Sequence, residues 1–493
     1  MHAYTPTLEE FRCKAREGNL VPVYREILGD LETPVSAFKK LDDGRYAFLL
    51  ESVEGGEKWG RYSFIGVAPS AVLSCQGTRM VIESDGTRQT RNVRDPITGL
   101  EAYLRRYRPV PVPGLPRFVG GAVGYLGYEC ARFLEDSIGL PEGKRGDLPD
   151  AQFFITGPLL VFDNLAHTIK VVVNAAVTDD ADKSYKQATR QIDQIVDRLR
   201  SFTPTHYTSR KSAHRPVWSS TASAADFERI VRRAQEHILA GDVFQIVLSH
   251  QLSTRIASDP FDVYRALRQM NPSPYMYFLR FGNDVVLGAS PEALVRKEDD
   301  VLELRPIAGT RPRGATRVDD LRLEEELRQS DKERAEHIML VDLGRNDLGR
   351  VAQYGSVVAE ELMIVERYSH VMHLVSGVRG LARDGINCFD VLRACFPAGT
   401  VSGAPKVRAM QLIHAMEKRR RGVYAGGVGY FGFDGNMDIC IAIRTVLCRD
   451  GQASIGAGAG IVANSNPRLE YDETRSKAQV LVAAIEMAEL GLE

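Results

Sequence analysis

A pair of glutamates at helical spacing is the first feature of this sequence that could do chemistry. Ser330-x-x-Glu333 has the pattern of a capping box, which predicts that a helix begins there and that Glu333 and Glu336 lie one turn apart on the same face. Carboxylate oxygens are hard ligands of the kind that Mg²⁺ prefers. The pair could therefore bind a metal ion, although a solvated helix surface with Glu333 acting only as a cap explains the same spacing.

A second pair of glutamates lies near the C-terminus. Asn466-Pro467 is a typical helix start, and Glu470, Glu473 and Lys477 follow it at spacings of three and four residues. An apolar stripe continues along the same segment, so its first turns are free to project into a cleft. Two such helices could hold Mg²⁺ together, with a substrate carboxylate and water completing the shell. Spacing alone leaves this reading and a plain helix surface open.

A glycine-rich segment lies just before that helix start. Residues 456–460 read Gly-Ala-Gly-Ala-Gly and follow a strand-like run at 453–455. Their backbone N–H groups could approach a carboxylate or a phosphate, although tight packing of a sheet against a helix explains the glycines equally well. The segment lacks the acidic partner of a dinucleotide-binding motif, and residues 399–406 lack the Ser or Thr that follows the lysine of a P-loop. Those residues are a functional loop or a connecting turn.

Two histidines could move protons near neutral pH. His370 and His373 are three residues apart in an alternating apolar run, and a strand there would send them to opposite faces. His373 is the candidate acid or base, with a structural histidine as the alternative.

Composition excludes several classes of function. The 493 residues contain 63 Lys and Arg against 64 Asp and Glu, so no global field favours nucleic acid or an anionic membrane. The seven cysteines form no C-x-x-C pair, which argues against zinc and a disulfide framework. Charged residues interrupt positions 1–20, and we find neither a secretory signal nor a membrane segment. We expect a cytoplasmic protein.

The hydrophobic patterns predict helices that alternate with strands, and the strands are expected to form a largely antiparallel sheet. Alternating strand-like runs dominate the first 200 residues. The later part predicts helices at 227–240, 261–270, 324–343, 407–417 and 475–490, and strands at 243–252, 277–281, 425–433, 437–446 and 454–455. Turns at 434–436 and 449–451 indicate hairpins, which favour antiparallel pairing.

A Thr-, Ser-, His- and Pro-rich stretch at residues 203–225 predicts a surface connection. It divides the chain into a sheet-rich part, residues 1–202, and a second part, residues 226–493. We expect the two parts to fold against each other.

Taken together, these motifs resemble the chorismate-utilising enzyme family over most of the chain. The resembling blocks are residues 49–52, 60–63, 241–245, 271–276, 306–312, 342–348, 399–406 and 472–474. Their number and order make a chance resemblance negligible.

The resemblance implies a Mg²⁺-dependent reaction on chorismate. In the branch that this chain resembles, ammonia adds at C2 of chorismate, the C4 hydroxyl leaves, and the resulting aminodeoxyisochorismate loses pyruvate to give anthranilate, the first step of tryptophan biosynthesis. The resemblance also implies an α+β fold of two packed, largely antiparallel β-sheets flanked by helices, and it places the residues of the first part against those of the second.

The family's site residues fall on matching positions of this chain. The resemblance implies metal binding by Glu336, Glu473 and Glu470; catalytic roles for His373, Thr400 and Glu333; and chorismate binding by Gly309, Thr310, Tyr424, Arg444, Gly458, Ala459, Gly460 and Lys477. Lys477, Arg444, Tyr424 and the glycine segment would anchor the carboxylates of chorismate, and His373 would assist hydroxyl departure or pyruvate elimination.

Two positions distinguish branches of the family. Relatives that add water carry Lys in place of Gln245, because water needs a base. Relatives that aminate C4 carry Lys in place of Ala308 as a nucleophile. Both differences imply the anthranilate-forming branch over aminodeoxychorismate synthases. A phenazine-type enzyme that stops at aminodeoxyisochorismate remains open, and a non-catalytic tryptophan-responsive subunit is disfavoured because the expected catalytic residues are present.

The resemblance further implies regulation and a partner. Ser52, Pro274, Tyr275 and Met276 match the family's tryptophan pocket, so we expect feedback inhibition by L-tryptophan. The chain has no glutaminase-like cysteine block, so ammonia is expected from a separate glutamine amidotransferase subunit, in a heterotetramer or a larger assembly.

Overall fold

Two twelve-stranded β-sheets form the centre of the molecule, and helices cover them. The computed structural model describes residues 4–53, 60–84, 86–139, 148–201, 215–368 and 371–492. The pairings between the strands are antiparallel. The predicted fold class, α+β with two packed antiparallel sheets, is therefore confirmed.

The strands of the described residues are, in chain order, β1 Leu20–Leu28, β2 Tyr46–Glu51, β3 Tyr62–Val67, β4 Ala71–Gln76, β5 Arg79–Ser84, β6 Thr87–Asn92, β7 Gly121–Leu126, β8 Ala151–Ile155, β9 Leu159–Asp163, β10 Thr168–Ala176, β11 Ser219–Ser220, β12 Gln245–Arg255, β13 Tyr275–Phe281, β14 Asp284–Ser290, β15 Ala293–Glu298, β16 Val301–Leu304, β17 Ile307–Pro312, β18 Val358–Arg367, β19 Val371–Leu381, β20 Gly403–Ala404, β21 Gly427–Gly432, β22 Met437–Ile441, β23 Thr445–Arg449 and β24 Gln452–Ile461.

The α-helices of the same residues are α1 Leu8–Lys14, α2 Pro34–Leu41, α3 Pro96–Leu104, α4 Ala181–Arg200, α5 Ala224–Leu239, α6 Pro260–Met270, α7 Arg317–Gln329, α8 Asp331–Gly349, α9 Cys388–Cys395, α10 Lys406–Glu417 and α11 Pro467–Leu490. Within the described ranges, no helix combines the length and the apolar character needed to cross a membrane.

Both sheets take strands from both parts of the chain. Sheet 1 has the order β1-β10-β9-β3-β2-β13-β14-β23-β24-β12-β11, with β20 also on β12. Sheet 2 has the order β17-β19-β16-β15-β22-β21-β7-β8-β4-β5-β6, with β18 also on β19. Strands before and after the predicted connection meet at β2 and β13 in sheet 1 and at β7 and β21 in sheet 2.

Aromatic side chains join the two sheets face to face. Phe154 on β8 of sheet 2 stacks on Phe281 on β13 of sheet 1, with ring centroids 4.0 Å apart and planes 3° from parallel. Phe48 of β2 packs in the same buried cluster. Offset aromatic stacking adds about 0.5–1.5 kcal/mol beyond the area that each ring buries. These aromatic contacts therefore pack the two sheets against each other.

The two helices predicted to carry glutamates begin at the expected residues. The Ser330 side chain accepts a hydrogen bond from the Glu333 N–H, and the Asn466 side chain accepts from the N–H groups of Arg468 and Leu469. Each cap satisfies backbone donors that the first turn leaves unpaired. The helix predicted at 324–343 was wrong in one respect, because Ser330 has an extended backbone and divides it into α7 and α8.

The predicted hairpins are confirmed, and one predicted strand is divided. Residues 434–436 connect β21 to β22, and Asp450 and Gly451, both at positive φ, connect β23 to β24. The strand predicted at 437–446 ends at Ile441 and resumes at Thr445. Arg444 has φ of +49°, a left-handed conformation that interrupts an extended chain.

The glycine segment at 456–460 was predicted to follow a strand, and this prediction was wrong. These residues lie inside β24 and pair with β12, with Gly458 opposite Ser249 and Gly460 opposite Val247. The alternation of β-strand side chains puts the three glycines on one face and the two alanines on the other. A Cβ atom at Gly456 would lie 2.2 Å from the Tyr424 ring. The glycines therefore make room for neighbours on their face.

The predicted connection at 203–225 is only partly described. Residues 202–214 lie outside the described residues, whereas Ser219–Ser220 form β11 and α5 begins at Ala224. The division of the chain at this connection stays a prediction.

Candidate active site

The predicted site residues come from five helices and strands and from the segments that connect neighbouring elements. Glu333 and Glu336 lie on α8, Glu470, Glu473 and Lys477 on α11, Gly458 to Gly460 on β24, Gly309 and Thr310 on β17, and His373 on β19. Thr400, Tyr424 and Arg444 lie in connecting segments beside these elements. His370 lies outside the described residues.

Glu336 faces β12 at the start of that strand. Its Oε1 accepts a hydrogen bond of 3.1 Å from Nε2 of Gln245, which is 3% exposed. Burial, and then the nearby carboxylate of Glu333, raise the pKa of Glu336. A cation placed here would stabilise the charged form of this carboxylate.

Glu333 lies one turn earlier and contacts the opposite side of the site. Its Oε1 accepts a hydrogen bond of 3.2 Å from Nη1 of Arg311. Gly309 has φ of +63°, and a Cβ there would lie 3.1 Å from Oε2 of Glu333. The β17 backbone thus approaches this carboxylate closely where it bulges next to Thr310.

The α11 residues meet the glycine segment. Nζ of Lys477 lies 2.6 Å from Oε1 of Glu473 and donates a hydrogen bond of 3.2 Å to the Gly458 carbonyl. Burial, followed by the carboxylate of Glu473, raises the pKa of Glu470 despite a hydrogen bond with Ser465. The first turns of α11 therefore place two carboxylates and one ammonium group beside β24.

Electrostatic interactions connect the two pairs of glutamates. The ammonium groups of Lys332 and Lys477 each lower the pKa of both Glu336 and Glu470, opposing the effect of burial. The first turns of α8 and α11 consequently lie in one electrostatic environment, and a shared metal site between the two helices stays a prediction.

The donor set fits Mg²⁺ with a mixed shell. The described residues hold no group of three or more His, Cys, Asp and Glu side chains arranged as a protein-only metal cage. Mg²⁺ commonly binds through one or two carboxylates and keeps waters or substrate oxygens in its remaining positions. Burial is the largest cause of the raised pKa values of the Glu336 and Glu470 carboxyls, and a bound cation would oppose it. Glu336 and Glu473, with Glu470 beside them, are the residues that would hold the ion.

Tyr424 covers the glycine face of β24. Its ring packs on Gly456. A Cβ atom at Gly458 would lie 2.7 Å from the Tyr424 hydroxyl oxygen. β23 pairs with β24 only as far as Ile455, so among the described strands the edge of residues 456–460 that faces away from β12 is open. Alternate N–H groups of an antiparallel strand point to each edge. This edge and the Tyr424 hydroxyl can receive a carboxylate, whereas the Ala459 side chain faces a helix-covered apolar cluster.

His373 is held in one orientation and one protonation state. Its Nδ1 lies 2.9 Å from the Gly309 carbonyl and 3.1 Å from the Thr310 hydroxyl. Burial, with the charges of Arg444 and Lys477, lowers the pKa of His373 to about 4. Because a carbonyl only accepts hydrogen bonds, Nδ1 carries the proton of the neutral ring. Nε2 therefore has a lone pair available to act as a base.

Sequence reasoning missed one candidate group, the carboxyl of Glu292. This residue lies between β14 and β15 and is 7% exposed. Burial raises the pKa of Glu292 to about 8, although the nearby Thr400 side chain, the Ile307 backbone and the charge of Lys477 oppose the shift. The carboxyl thus holds a proton at neutral pH. Its sequence signal is weak, a single acidic residue between two apolar strands.

A separate cavity brings together the four residues of the predicted tryptophan pocket. Ser52, Pro274, Tyr275 and Met276 all line it, and residues of β21 and β22 close it from sheet 2. The Tyr275 hydroxyl donates a hydrogen bond of 2.9 Å to Asp438, which also lies on the wall.

The wall of this cavity carries both charges. Nη2 of Arg117 lies 3.6 Å from Oδ2 of Asp438. An amino acid offers an ammonium and a carboxylate, which this pair could receive, and aromatic residues of both sheets supply apolar surface for a large side chain. The lining of the cavity therefore combines an ion pair with apolar surface.

Comparison with known proteins gives a consistent family. The chain matches the family model of the chorismate binding enzymes over residues 47–483. It is 45% identical to anthranilate synthase component 1 of Acetivibrio thermocellus over 490 residues, covering 98% of this chain and 99% of that protein. It is 46% identical to the Pseudomonas putida protein of the same name over 487 residues, covering 98% of each.

A solved structure agrees with these sequence relatives. The crystal structure of anthranilate synthase component I from Streptococcus pneumoniae TIGR4 superposes with a TM-score of 0.77 at 35% identity, covering 92% of this chain and 99% of that one. The family resemblance inferred from the motif blocks is confirmed.

Proposed function

The chain belongs to the chorismate-binding enzymes and groups with anthranilate synthase component 1, and from this premise we propose that it converts chorismate and ammonia into anthranilate and pyruvate. The site supplies what that reaction needs: cations and open backbone donors for carboxylates, a protonated acid, and an unprotonated base.

The observation that carries this proposal is a pair of groups whose pKa values are shifted apart. The pKa of Glu292 is raised to about 8 and that of His373 is lowered to about 4, both mainly by burial. At neutral pH the carboxyl holds a proton and the imidazole lacks one. Two groups held in this way divide the acid and base roles of a reaction between them. Lys477 acts electrostatically on both groups, which supports a common site.

Chorismate carries two carboxylates, and the site offers two places for them. Lys477 already contacts the Gly458 carbonyl and would hold one carboxylate at the open edge of β24 with the Tyr424 hydroxyl. Arg444, whose left-handed backbone interrupts the sheet, would hold the other near His373. The ring then lies between β24 and the β17–β19 pair.

Amination requires departure of the C4 hydroxyl. Ammonia attacks C2, the two ring double bonds shift, and the C4–O bond breaks. Glu292 would donate its proton to the departing oxygen, so that water leaves, and would recover a proton from the new ammonium group. Gln245 at the nucleophile side offers an amide and no base, which fits ammonia.

Aromatisation requires loss of the C2 proton. His373 would take this proton at Nε2 while Nδ1 remains bonded to the Gly309 carbonyl. The C3–O bond breaks, its electrons remain on enolpyruvate, and protonation of that group gives pyruvate. When Mg²⁺ is bound by Glu336 and Glu473, with Glu470 beside them, it would neutralise the ring carboxylate and stabilise the charge that builds up during displacement.

Product analysis tests the proposal. The purified chain would be incubated with chorismate, Mg²⁺ and an ammonium salt, and the products resolved by chromatography. Anthranilate and pyruvate in equal amounts are expected. Accumulation of an amino-cyclohexadiene without pyruvate would instead support the phenazine-type alternative, and a para-substituted product the aminodeoxychorismate synthases.

We further propose that L-tryptophan binds the cavity at Ser52 and inhibits the enzyme, and that a separate glutamine amidotransferase supplies ammonia in the cell. The names of the relatives as component 1 support a second component. The cavity is bounded by strands of both sheets, so a ligand there could favour one arrangement of the sheets over another.

Ser52→Phe is expected to make ammonia-dependent synthesis resistant to tryptophan. The new ring would occupy cavity space, and we expect the inhibition constant to rise by about tenfold or more, which corresponds to about 1.4 kcal/mol. Inhibition curves measured beside Val53→Phe, which places the same ring at the next, exposed residue, would test this. Unchanged tryptophan inhibition in the Ser52 variant would refute the pocket.

A further inference from the structure

A fully buried guanidinium lies behind the substrate face of sheet 1. The Arg421 side chain is 1% exposed, as is that of its partner Glu417. Nε and Nη2 of Arg421 donate to the two carboxylate oxygens of Glu417 at 3.0 and 2.6 Å. Nη1 donates to the Val401 carbonyl and Nη2 to the Val247 carbonyl, both at 2.7 Å. The three guanidinium nitrogens therefore all have partners.

Two of these partners, Val401 and Val247, are next to residues that would contact chorismate. Val401 follows Thr400, which lies beside the Glu292 carboxyl. Val247 pairs with Gly460 in the β12–β24 ladder. Arg421 thus connects the loop at the acid to the strand at the anchored carboxylate, although these segments are far apart in sequence.

Glu417, the third partner of Arg421, is connected to Gly458 through Ser249. Oε1 of Glu417 accepts hydrogen bonds from the backbone N–H and the hydroxyl of Ser249, at 2.7 and 3.0 Å. Ser249 is opposite Gly458 in the ladder. The charge of Arg421 is the largest influence that keeps the pKa of Glu417 low despite its burial. Glu417 therefore remains an acceptor.

The same guanidinium also supports Tyr424. Its central carbon lies 5.9 Å from the Tyr424 ring centroid and 4.6 Å from that of Tyr128. Such cation–π contacts are attractive and depend on the position of the ring relative to the cation. The Tyr424 ring in turn lies against Gly456 and Gly458.

From these contacts we propose that Arg421 is a positioning residue for the chorismate reaction, because it holds the Thr400 loop, the β24 glycines and Tyr424 at fixed separations. The inference rests on the proposed function. None of its guanidinium contacts goes to a residue that would bind the metal. The planar guanidinium of Arg can donate hydrogen bonds to a carboxylate and two carbonyls at once. The single nitrogen of Lys cannot reach all of them.

The proposal predicts a specific result for Arg421→Lys. The charge opposite Glu417 is kept, while at least one of the two carbonyl contacts is lost. Misplacement of reacting groups by about 1 Å can cost on the order of 10²-fold. We expect kcat/KM for chorismate to fall by about 10- to 100-fold, mostly in kcat. Elimination needs the same alignment as addition, so it should slow as well. The share of aminodeoxyisochorismate released relative to anthranilate should therefore also rise.

Arg25→Lys is the matched control. The Arg25 side chain is also buried, at 6% exposure, and pairs with Asp193 at 3.0 Å on the outer part of sheet 1. Its loss is expected to lower the melting temperature without changing the ratio of products. If Arg421→Lys does not fold, the neutral pair Arg421→Gln with Glu417→Gln would be measured in the same way.

The outcomes separate this inference from the proposed function. Wild-type chain that makes no anthranilate refutes the function itself. Active wild type with an unchanged product ratio and kcat/KM in a folded Arg421 variant overturns the positioning role. Failure of both Arg421 variants to fold also overturns it, because the residue would then serve the fold as a whole.

Discussion

Glu292→Gln is expected to lower kcat by about 10²- to 10⁴-fold, the range that a general acid contributes. The amide has nearly the same size as the protonated carboxyl and can still donate a hydrogen bond, but it cannot transfer a proton to the departing hydroxyl. The measurement is the rate of chorismate consumption at saturating ammonia and Mg²⁺.

The fold is expected to survive this change. A raised pKa means that the folded protein holds Glu292 protonated while the unfolded chain ionises, so the wild type loses stability as the pH rises from about 4 towards 8. The Gln variant has no such loss, and its melting temperature at neutral pH should be no lower than that of the wild type. A folded variant with wild-type turnover would remove Glu292 from the mechanism.

Glu473→Gln is expected to abolish Mg²⁺-dependent turnover. The change removes a proposed metal ligand and the carboxylate that lies 2.6 Å from Nζ of Lys477. Lys477 would lose its orientation towards the open edge of β24, so both metal and substrate binding should weaken. Titration of Mg²⁺ by calorimetry, in the presence of chorismate, gives a readout besides activity, and we expect its heat signal to vanish.

Glu486→Gln is the matched control for this variant. Glu486 lies on the same helix, α11, and is exposed well beyond the first turns. The same loss of one carboxylate there should leave turnover and Mg²⁺ binding unchanged. Wild-type rates in Glu473→Gln would contradict the assignment of Glu473 as a metal ligand.

Much of the fold could be predicted because its signals are local. Helix starts at Ser330 and Asn466 depend on a cap and the residues next to it, and the hairpins depend on turns such as Asp450-Gly451. Their prediction needed no knowledge of distant parts of the chain. The division of one strand at Arg444 was missed because a left-handed arginine has no sequence signal as clear as glycine.

The order of strands in the sheets could not be obtained in the same way. β2 and β13 are adjacent although more than 200 residues separate them, and the pairing of β7 with β21 in sheet 2 is equally non-local. Such pairings follow from the burial of whole faces, which local patterns do not specify. The resemblance to a family supplied what the patterns could not.

In the site, the sequence predicted the carboxylate pairs but not the groups that depend on burial. Nothing in the sequence around Glu292 indicates a raised pKa. The pKa rises because the folded protein buries this carboxyl, which therefore holds a proton at neutral pH. The sequence showed the glycines of β24 but not why they are needed. They leave space for the Tyr424 ring, which belongs to a different segment of the chain. Arg421 likewise gains its role only from the carbonyls that converge on it.

The dependence of kcat on pH tests the central claim, a neutral acid and a neutral base in one site, most directly. Free ammonia must be held constant, because its protonation also changes with pH. Since Glu292 must be protonated and His373 unprotonated, kcat should be level between about 5 and 7 and fall about tenfold per pH unit above about 8. A kcat that stays level or rises to about pH 9 would contradict the account.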